Sequence, residues 1–391
     1  MSISALDKAR AYQDELTAIR RDIHAHPELG LEEVRTAEVV AKKLEEWGIE
    51  VHRGVGITGV VGVLRNGNGQ ASVGLRADMD ALPIIEASGL AHESKNPGKM
   101  HACGHDGHTT MLLGAAKYLA ETRNFNGTVN FIFQPAEEGV GGALAMLKDG
   151  LFERFPCNAV YGMHNRPGLP VGKYITGPGA RAAGGAFFDI LITGRGAHGA
   201  HPSQSIDPVL VACHIGTALQ SIVSRNVPAR DTAVLSVTRI QTGDAYNVIP
   251  QTATMSGTVR TLKRELMTMI QENMERLITS IAAGFGATAT LDFRVIFAPM
   301  VNNEAEAQSY GDAAAQLVGE DNVDRHSPPG MGSEDFSFMM ELVPGAHINL
   351  GNGDTAALHN HKYDFNDEAI PYGVALYGAI VEKKLPKGQV D

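Results

Sequence analysis

The chain has 391 residues, of which 43% are hydrophobic and 20% are charged, and its formal net charge at pH 7 is −11. This length and apolar content suffice for two hydrophobic cores, so we expect two domains. The acidic balance, without a dense block of Lys or Arg, excludes nucleic acid and a membrane surface as expected partners.

The amino-terminal stretch MSISALDKARAYQDELTAIRR is charged and helix-patterned and lacks the apolar centre of a signal peptide. No later run reaches the roughly 18 apolar residues of a membrane span. Cysteine occurs only three times, at widely separated positions, which is typical of a reducing compartment. We therefore expect a soluble cytoplasmic protein without disulfides.

The first half of the chain alternates between helical and strand patterns. Apolar residues recur at three- and four-residue spacing in AYQDELTAIRRDIHAHPEL and in TAEVVAKKLEEWGI, which predicts helices. TGVVGVLRN, ASVGLRADM and GTVNFIFQP are short β-branched or aromatic runs that predict strands. TTMLLGAAKYLAETR predicts a further helix that starts near Thr109 or Thr110. The alternation indicates an α/β domain, in which binding groups collect at the carboxyl ends of strands.

From about Gly185 the pattern changes to strand, helix, two strands, helix and strand, ending with TATLDFRVIF. The order βαββαβ is that of a compact split βαβ unit with a ferredoxin-like, α+β character. We therefore predict an inserted small domain at residues 185–297. Residues 1–184 and 298–391 would form the larger α/β domain, with a mixed central sheet built from both terminal parts of the chain.

Two stretches carry residues suited to metal chemistry. In HACGHDGH, Cys103 and His105 lie two residues apart, so an extended segment would direct both side chains to one side, as ligands of a common metal. After the strand in FIFQP come Glu137 and Glu138, of which one could bind metal while the other takes a proton from water. A polar turn and a solvated acidic pair are the respective alternatives.

Histidines follow two more elements. His164 comes after an apolar strand and before a Pro/Gly turn, and LHNHKYDFND contains His359 and His361. A lone histidine is commonly a packed or surface residue, but four such stretches at strand ends favour a metal centre.

Ten motifs occur in one order along the chain: HPELGLEE, LRADMDALP, HACGHDGH, QPAEEG, GMH, GRGAHGAHP, NVIP, SGTVR, GSEDFSF and LHNHKYDFND. Together they resemble the amidohydrolase branch of the aminoacylase and carboxypeptidase metallopeptidases, over nearly the whole chain. That branch holds hippurate hydrolases, bacterial N-acyl amino acid amidohydrolases and plant auxin-conjugate hydrolases. In the family the inserted domain is a lid that commonly mediates dimerisation, so the resemblance implies a homodimer or higher homo-oligomer.

The resemblance also implies two divalent metal ions per subunit, with zinc expected and manganese, cobalt or nickel as alternatives. Cys103 would bridge the two ions, at a place where other branches use aspartate. His105 and His164 would complete one site, and Glu138 and His359 the other. Three histidines of the same motifs stay outside this ligand set: His101, His108 and His361.

Catalytic and substrate-binding roles follow from the same resemblance. Glu137 matches the general base, which takes a proton from water and returns it to the leaving amine. His198 matches a donor to the oxyanion, in its own or the partner subunit, and His201 is its neighbour outside the pattern. Asn247 and Arg260 match positions that grip the substrate carboxylate, although an arginine on a strand is also typical of a surface charge.

Two further motifs have less defined roles. Asp78 and Asp80 resemble carboxylates that orient a ligand imidazole, and a strand-terminal turn is an equally open interpretation. Residues 332–338, GSEDFSF, are expected to line or support the acyl pocket, with no role assigned to Glu334 or Asp335.

The implied reaction is hydrolysis of the amide bond of a hippurate-like N-acyl or N-aroyl amino acid, which gives a carboxylic acid and a free amino acid. A dipeptidase or exopeptidase with the same two-metal mechanism is the alternative. More remote are a non-catalytic metal-binding protein and a hydrolase with Cys103 as nucleophile and His105 as base. The latter would leave Glu137 and Glu138 without a task.

Overall fold

The structure is a computed structural model that describes residues 4–387. The chain folds into two compact units. The first takes the described residues up to Arg181, the segment Val301–Pro328 and the residues from Asp335 on. The second takes Ala182–Met300 and Pro329–Glu334.

The second unit contains the predicted insertion 185–297. It also contains a short segment that the sequence analysis placed in the larger domain. The N–H of Ala183 donates to the carbonyl of Gly332 over 2.8 Å, which joins Pro329–Glu334 to this unit. The stretch SPPGMGSE has no periodicity, so its pattern carries no signal of such an attachment.

The strands, in chain order, are β1 (Glu50–Val55), β2 (Gly59–Asn66), β3 (Ser72–Asp78), β4 (Gly127–Gln134), β5 (Ala159–Arg166), β6 (Tyr174–Ile175), β7 (Gly179–Ala182), β8 (Gly184–Thr193), β9 (Ala197–His198), β10 (Ala233–Gln241), β11 (Val248–Ile249), β12 (Thr252–Thr261), β13 (Thr288–Phe297), β14 (Met300–Asn302), β15 (Val323–Asp324) and β16 (Gly345–Gly351). The α-helices are α1 (Ala5–Arg10), α2 (Gln13–Ala25), α3 (Val34–Glu46), α4 (His105–Thr122), α5 (Gly142–Lys148), α6 (Leu151–Arg154), α7 (Pro208–Asn226), α8 (Arg264–Gly284), α9 (Glu304–Val318), α10 (Phe336–Leu342) and α11 (Ile370–Lys384). Short 3₁₀ turns lie at Pro202–Gln204, Glu320–Asn322 and Asp367–Ala369.

A mixed eight-stranded sheet forms the centre of the first unit, in the order β1-β2-β4-β3-β5-β16-β6-β15. Its middle strands β4, β3, β5 and β16 are mutually parallel, whereas β1 and β2 pair antiparallel on one side. Every residue of β3 is buried, as expected for a central parallel strand. Because β15 and β16 come from the carboxyl-terminal part of the chain, the predicted α/β class with a mixed sheet built from both terminal parts is confirmed.

Helix α4 packs on β3 and against α2 and α11. It is buried almost throughout its length, and its apolar residues Met111, Leu112 and Leu119 belong to the same core as Leu75 and Phe131 of the sheet. The core of the first unit therefore places the start of α4 beside Asp78, the last residue of β3.

The second unit has its own core. Its four long strands and two helices follow the predicted order βαββαβ, and its antiparallel sheet has the order β10-β12-β8-β13. In β8 buried and exposed residues alternate, and α8 directs Ile270, Met274 and Ile278 to one buried face. A separate two-stranded ribbon pairs β9 with β11. Among residues 4–387, none of the helices combines the length and the apolarity needed to cross a membrane.

Candidate metal centre

Polar side chains collect where the central parallel strands of the first unit end. β3 ends at Asp78, β4 is followed by Glu137, and His164 lies near the end of β5. The carboxyl ends of parallel strands meet at one edge of a sheet, which is where open α/β sheets bind ligands. The predicted location of the site at strand ends thus agrees with the topology.

The HACGHDGH stretch differs from its prediction in local structure. Gly104 has φ 91°, a left-handed conformation, and His105 is already the first residue of α4, so the segment is not extended and the helix starts before Thr109. A Cβ at position 104 would lie 2.2 Å from Asn165 Nδ2 and 2.6 Å from the Tyr363 hydroxyl, so only glycine fits there. The turn at Gly104, and not an extended strand, sets the separation of Cys103 and His105.

The first turn of α4 is buried although it is polar, because each of its polar side chains makes at least one hydrogen bond. His108 Nδ1 lies 2.6 Å from Asp78 Oδ1, and the Thr109 hydroxyl donates to the Asp78 carbonyl over 2.8 Å. The Thr110 hydroxyl donates to the Asp106 carbonyl over 2.8 Å. The two contacts with Asp78 come from tertiary structure, which apolar periodicity does not report, so the helix start was predicted too late.

The five predicted ligands come together in two overlapping groups. One contains Cys103, His105 and His164, and the other contains Cys103, Glu138 and His359. Within each group the potential ligand atoms all lie within 4.8 Å of one another. Cys103 is therefore the one residue placed to contribute to both groups. A thiolate, imidazoles and a carboxylate form a donor set suited to zinc and to other divalent transition metals.

Hydrogen bonds orient two of the imidazoles in the way that metal ligation requires. His105 Nδ1 lies 2.9 Å from the Asp80 carbonyl and 3.1 Å from Asp80 Oδ1, while its buried Nε2 has no hydrogen-bond partner among residues 4–387. His164 Nδ1 donates to the Asn165 carbonyl over 2.7 Å, and its Nε2 lies 3.4 Å from Cys103 Sγ. In His105 the Nε2 lone pair is left for a cation, and in His164 it faces the Cys103 thiol, whose proton a bound cation would displace.

His359 is held by its backbone. Its φ is 63°, unusual for a residue other than glycine, and its N–H donates to the Ala102 carbonyl over 2.8 Å, directly beside Cys103. His359 Nε2 lies 3.1 Å from Glu138 Oε1. Hydrogen bonding to Cys103 and to Glu138 raises the pKa of His359 to about 10, so this cluster favours positive charge.

The environment of Cys103 does not suit a nucleophile. Burial raises the pKa of its thiol, and the neighbouring Glu138 carboxylate raises it further. Reactive cysteines are instead found where neighbours lower the pKa of the thiol. The surroundings of Cys103 therefore favour a ligand that a divalent cation would deprotonate over the thiol-hydrolase alternative.

Glu137 lies beside the ligand groups. It is buried, it forms a further group with His105 and Glu138 within 4.8 Å, and its Oε1 accepts from the backbone N–H of Asp335 over 3.3 Å. Asp335, for which the sequence suggested no role, thus contacts the predicted general base.

Asp78 and Asp80 have different partners. Asp80 contacts the predicted ligand His105, as proposed from the sequence. Asp78 instead bonds His108, which is outside the predicted ligand set, and its Oδ1 is 3.9 Å from His105 Nε2. The reason is geometric. Asp78 is the last residue of β3, and His108, three residues after His105 in α4, lies within hydrogen-bonding distance of it.

A buried ionic cluster includes Asp106 of α4 and corresponds to no motif that the sequence analysis singled out. Asp106 Oδ2 lies 2.8 Å from His24 Nδ1 and 3.3 Å from Arg20, and all three residues are fully buried. On the other side of the ring, His24 Nε2 lies 3.1 Å from Glu86 Oε1. The spacing of Arg20 and His24 on one face of α2 is the only sequence signal, and it does not reveal the partner.

This cluster predicts a pH dependence of stability. Burial alone would lower the pKa of His24, but Asp106 and Glu86 outweigh burial and raise that pKa to about 9. A histidine whose pKa is raised on folding stabilises the fold below its unfolded pKa of about 6.5, and this stabilisation is lost as pH rises towards 9. We expect the free energy of unfolding, measured with urea, to fall over this interval, and to fall less in His24→Gln. An equal fall in both proteins would contradict the assignment.

Three predicted residues lie in the second unit. His198 is exposed in β9, where it pairs with Val248, and its Nδ1 accepts from the N–H of Ala200 over 3.1 Å. Asn247 precedes β11 and is exposed, and Arg260 is half-buried in β12 with its guanidinium 5.8 Å above the Phe187 ring. Their catalytic and substrate-binding roles stay predictions.

Comparison with known proteins assigns most of the chain to a family. Residues 74–383 match peptidase family M20/M25/M40. The chain is 43% identical to a hippurate hydrolase of Campylobacter jejuni, over 95% of this chain and 97% of that protein. It is 39% identical to the IAA-amino acid hydrolase ILR1-like 4 of Arabidopsis thaliana, over 97% of this chain and 88% of that protein.

A solved structure extends the comparison to the fold. The Bacillus subtilis YXEP protein, a dinuclear metal-binding peptidase from the M20 family, superposes with a TM-score of 0.84 at 35% identity, over 96% of this chain and 99% of that chain. With the family match and the two relatives above, this likeness means that the chain belongs to peptidase family M20/M25/M40 and is a hydrolase of amide bonds.

Proposed function

We propose that the protein hydrolyses the amide bond of N-acyl or N-aroyl amino acids with two divalent metal ions, zinc being the expected metal. The observation that carries the proposal is the pair of ligand groups that share Cys103, with Glu137 beside them. His105 and His164 would complete the coordination of one ion, and Glu138 and His359 that of the other. The hydrogen bonds at the Nδ1 atoms of His105 and His164 support these assignments.

When bound, divalent ions lower the pKa of water and polarise the amide carbonyl. Glu137 accepts the proton of the attacking water, and its carboxyl then returns that proton to the nitrogen as the C–N bond breaks. The Asp335 N–H bond to Oε1 fixes the orientation of this carboxylate. Its burial excludes bulk water, which would otherwise compete for the proton.

The substrate class rests on the relatives. The chain matches a hippurate hydrolase and an IAA-amino acid hydrolase over almost its full length, and both names describe hydrolases of amino acids that carry an acyl group on nitrogen.

Asn247 and Arg260 would grip the carboxylate of such a substrate, and His198 would donate to the oxyanion. An unchanged kcat in His198→Ala would remove that residue from the mechanism.

The second unit would act as a lid and would mediate a homodimer or a higher homo-oligomer. Light scattering on the purified protein tests this part of the proposal, because a monomeric mass would contradict it.

The experiment that tests the function is a rate comparison on metal-stripped protein. Hippurate, N-acetyl amino acids and unmodified dipeptides are offered after each of zinc, manganese, cobalt and nickel is added back. We expect no turnover without metal, and recovered turnover that favours N-acyl amino acids over dipeptides. Turnover that survives metal removal would contradict the metal mechanism, and a preference for dipeptides would favour the exopeptidase alternative.

A further inference from the structure

The turn that carries Glu137 and Glu138 has an unusual backbone. Ala136 has φ 51°, a left-handed conformation that costs energy in any residue other than glycine. Such a conformation persists only where neighbouring groups hold it in place. The Gly142 N–H donates to the Ala136 carbonyl over 3.0 Å, and a Cβ at Gly142 would lie 1.6 Å from the Pro135 carbonyl oxygen, so the turn is closed tightly on itself.

Three buried carboxylates hold this turn, each through one backbone N–H. The pairs, with their N···O distances, are Ala136 with Glu33 Oε1 at 2.8 Å, Glu138 with Asp80 Oδ2 at 3.0 Å, and Ala143 with Asp335 Oδ2 at 3.0 Å. Hydrogen bonds from backbone N–H groups to carboxylates are stronger than those between neutral groups. The turn is therefore anchored at its start, at its middle and at its end.

Glu33 differs from the other two anchors in what else it touches. Asp80 also contacts His105, and the Asp335 backbone contacts Glu137, so both reach the site directly. The Glu33 carboxylate bonds the Ala136 N–H through Oε1 and accepts from the Thr58 hydroxyl through Oε2 over 2.5 Å. Neither partner is a predicted ligand or the predicted base.

Glu33 is also placed with little freedom. Its exposed fraction is 0%, and Gly30, three residues earlier, packs so closely on Ala136 that a Cβ there would lie 2.9 Å from the Ala136 Cβ. The adjacent Glu32 is exposed and pairs with Lys99 over 2.9 Å. The chain therefore offers a buried glutamate and an exposed one side by side.

We propose that Glu33 is a positioning residue that holds Ala136 left-handed and thereby aims the carboxylates of Glu137 and Glu138. The inference rests on the proposed function of those two residues. Glu33 acts through the backbone of residue 136 and touches neither water nor substrate in this scheme. Because a small misplacement of a reacting group is costly, losing this anchor lowers kcat more than it changes KM.

The test compares Glu33→Gln with Glu33→Met, with Glu32→Gln as the control. Burial raises the pKa of the Glu33 carboxyl, and glutamine matches its shape while keeping an oxygen acceptor for the Ala136 N–H. Methionine fills a similar volume without a comparable acceptor. Two quantities are measured: amide hydrogen exchange of residues 135–143 relative to α4, and kcat on an N-acyl amino acid.

In Glu33→Met we expect exchange of residues 135–143 to be roughly ten- to hundredfold faster, with α4 unchanged. We expect kcat to fall about a hundredfold with KM nearly unchanged. Glu33→Gln recovers most of both quantities, and Glu32→Gln matches the native protein.

Unchanged exchange in Glu33→Met would overturn the anchoring, and faster exchange with a native kcat would overturn the positioning role. If Glu33→Met does not fold, a Glu33→Gln protein with native kcat and exchange still supports an acceptor-based role, and one with a collapsed kcat at native exchange refutes it. Failure of the proposed function shows differently, as native protein that is inactive on every N-acyl amino acid, and the exchange measurement then decides the anchoring alone.

Discussion

Replacing Glu137 by glutamine is expected to lower kcat by about 10²- to 10⁴-fold while the protein keeps its bound metal. Glutamine has the same shape and its amide oxygen can still accept from the Asp335 N–H, so the fold and the turn should persist. What the variant loses is the ability to take a proton from water. The measurement is kcat together with metal content by elemental analysis.

The matched comparison is the neighbouring Glu138→Gln. Since Glu138 belongs to a ligand group with Cys103 and His359, its replacement should reduce metal content as well as rate. Near-native turnover in Glu137→Gln would refute the assignment of the base. Loss of metal from Glu137→Gln, at a level equal to that of Glu138→Gln, would mean that Glu137 is itself a ligand.

Replacing Cys103 by alanine is expected to weaken the binding of both ions, since it removes the one residue common to the two ligand groups. Each group then keeps only two of its members. The loss of metal affinity should exceed the roughly 10- to 100-fold that follows from removing a partner of a ligand. Metal content after dialysis against a weak chelator measures this, and turnover should fall with it.

The chain supplies its own control for this experiment. Cys157 lies away from the ligand groups, where it accepts from Asn130 Nδ2 over 3.3 Å, so Cys157→Ala should retain native metal content. Because an aspartate carboxylate also binds divalent ions, Cys103→Asp should recover part of the metal binding. Native metal content in Cys103→Ala would contradict the bridging role.

Several features of the fold and the site follow directly from residue patterns. The β-branched runs around Val73 and Val129 predict strands, and β3 and β4 contain them. Glu137 lies three residues after β4, at the edge where the parallel strands end, and it forms a group there with His105 and Glu138.

Other features depend on contacts that a pattern cannot express. The start of α4 at His105 needs Asp78 and Asp80 as partners for a buried polar turn, and apolar periodicity registers none of these residues. The left-handed conformation of His359 could likewise not be predicted from the sequence, because glycine is the residue whose presence usually indicates a positive φ.

Glu33 illustrates the same limit. It lies in the motif HPELGLEE beside Glu32, and composition does not distinguish the two glutamates. One is buried against Ala136 and the other is exposed, a difference set by residues a hundred positions away in the chain. Sequence patterns identify which groups can do chemistry here, and tertiary contacts determine how they are held.

Anomalous X-ray diffraction from crystals of the metal-loaded protein tests most directly whether Cys103 joins two metal sites. We expect two anomalous peaks per chain, both coordinated by Cys103 Sγ, one with His105 and His164 and the other with Glu138 and His359. A single peak, or peaks held by residues other than these five, would contradict the account.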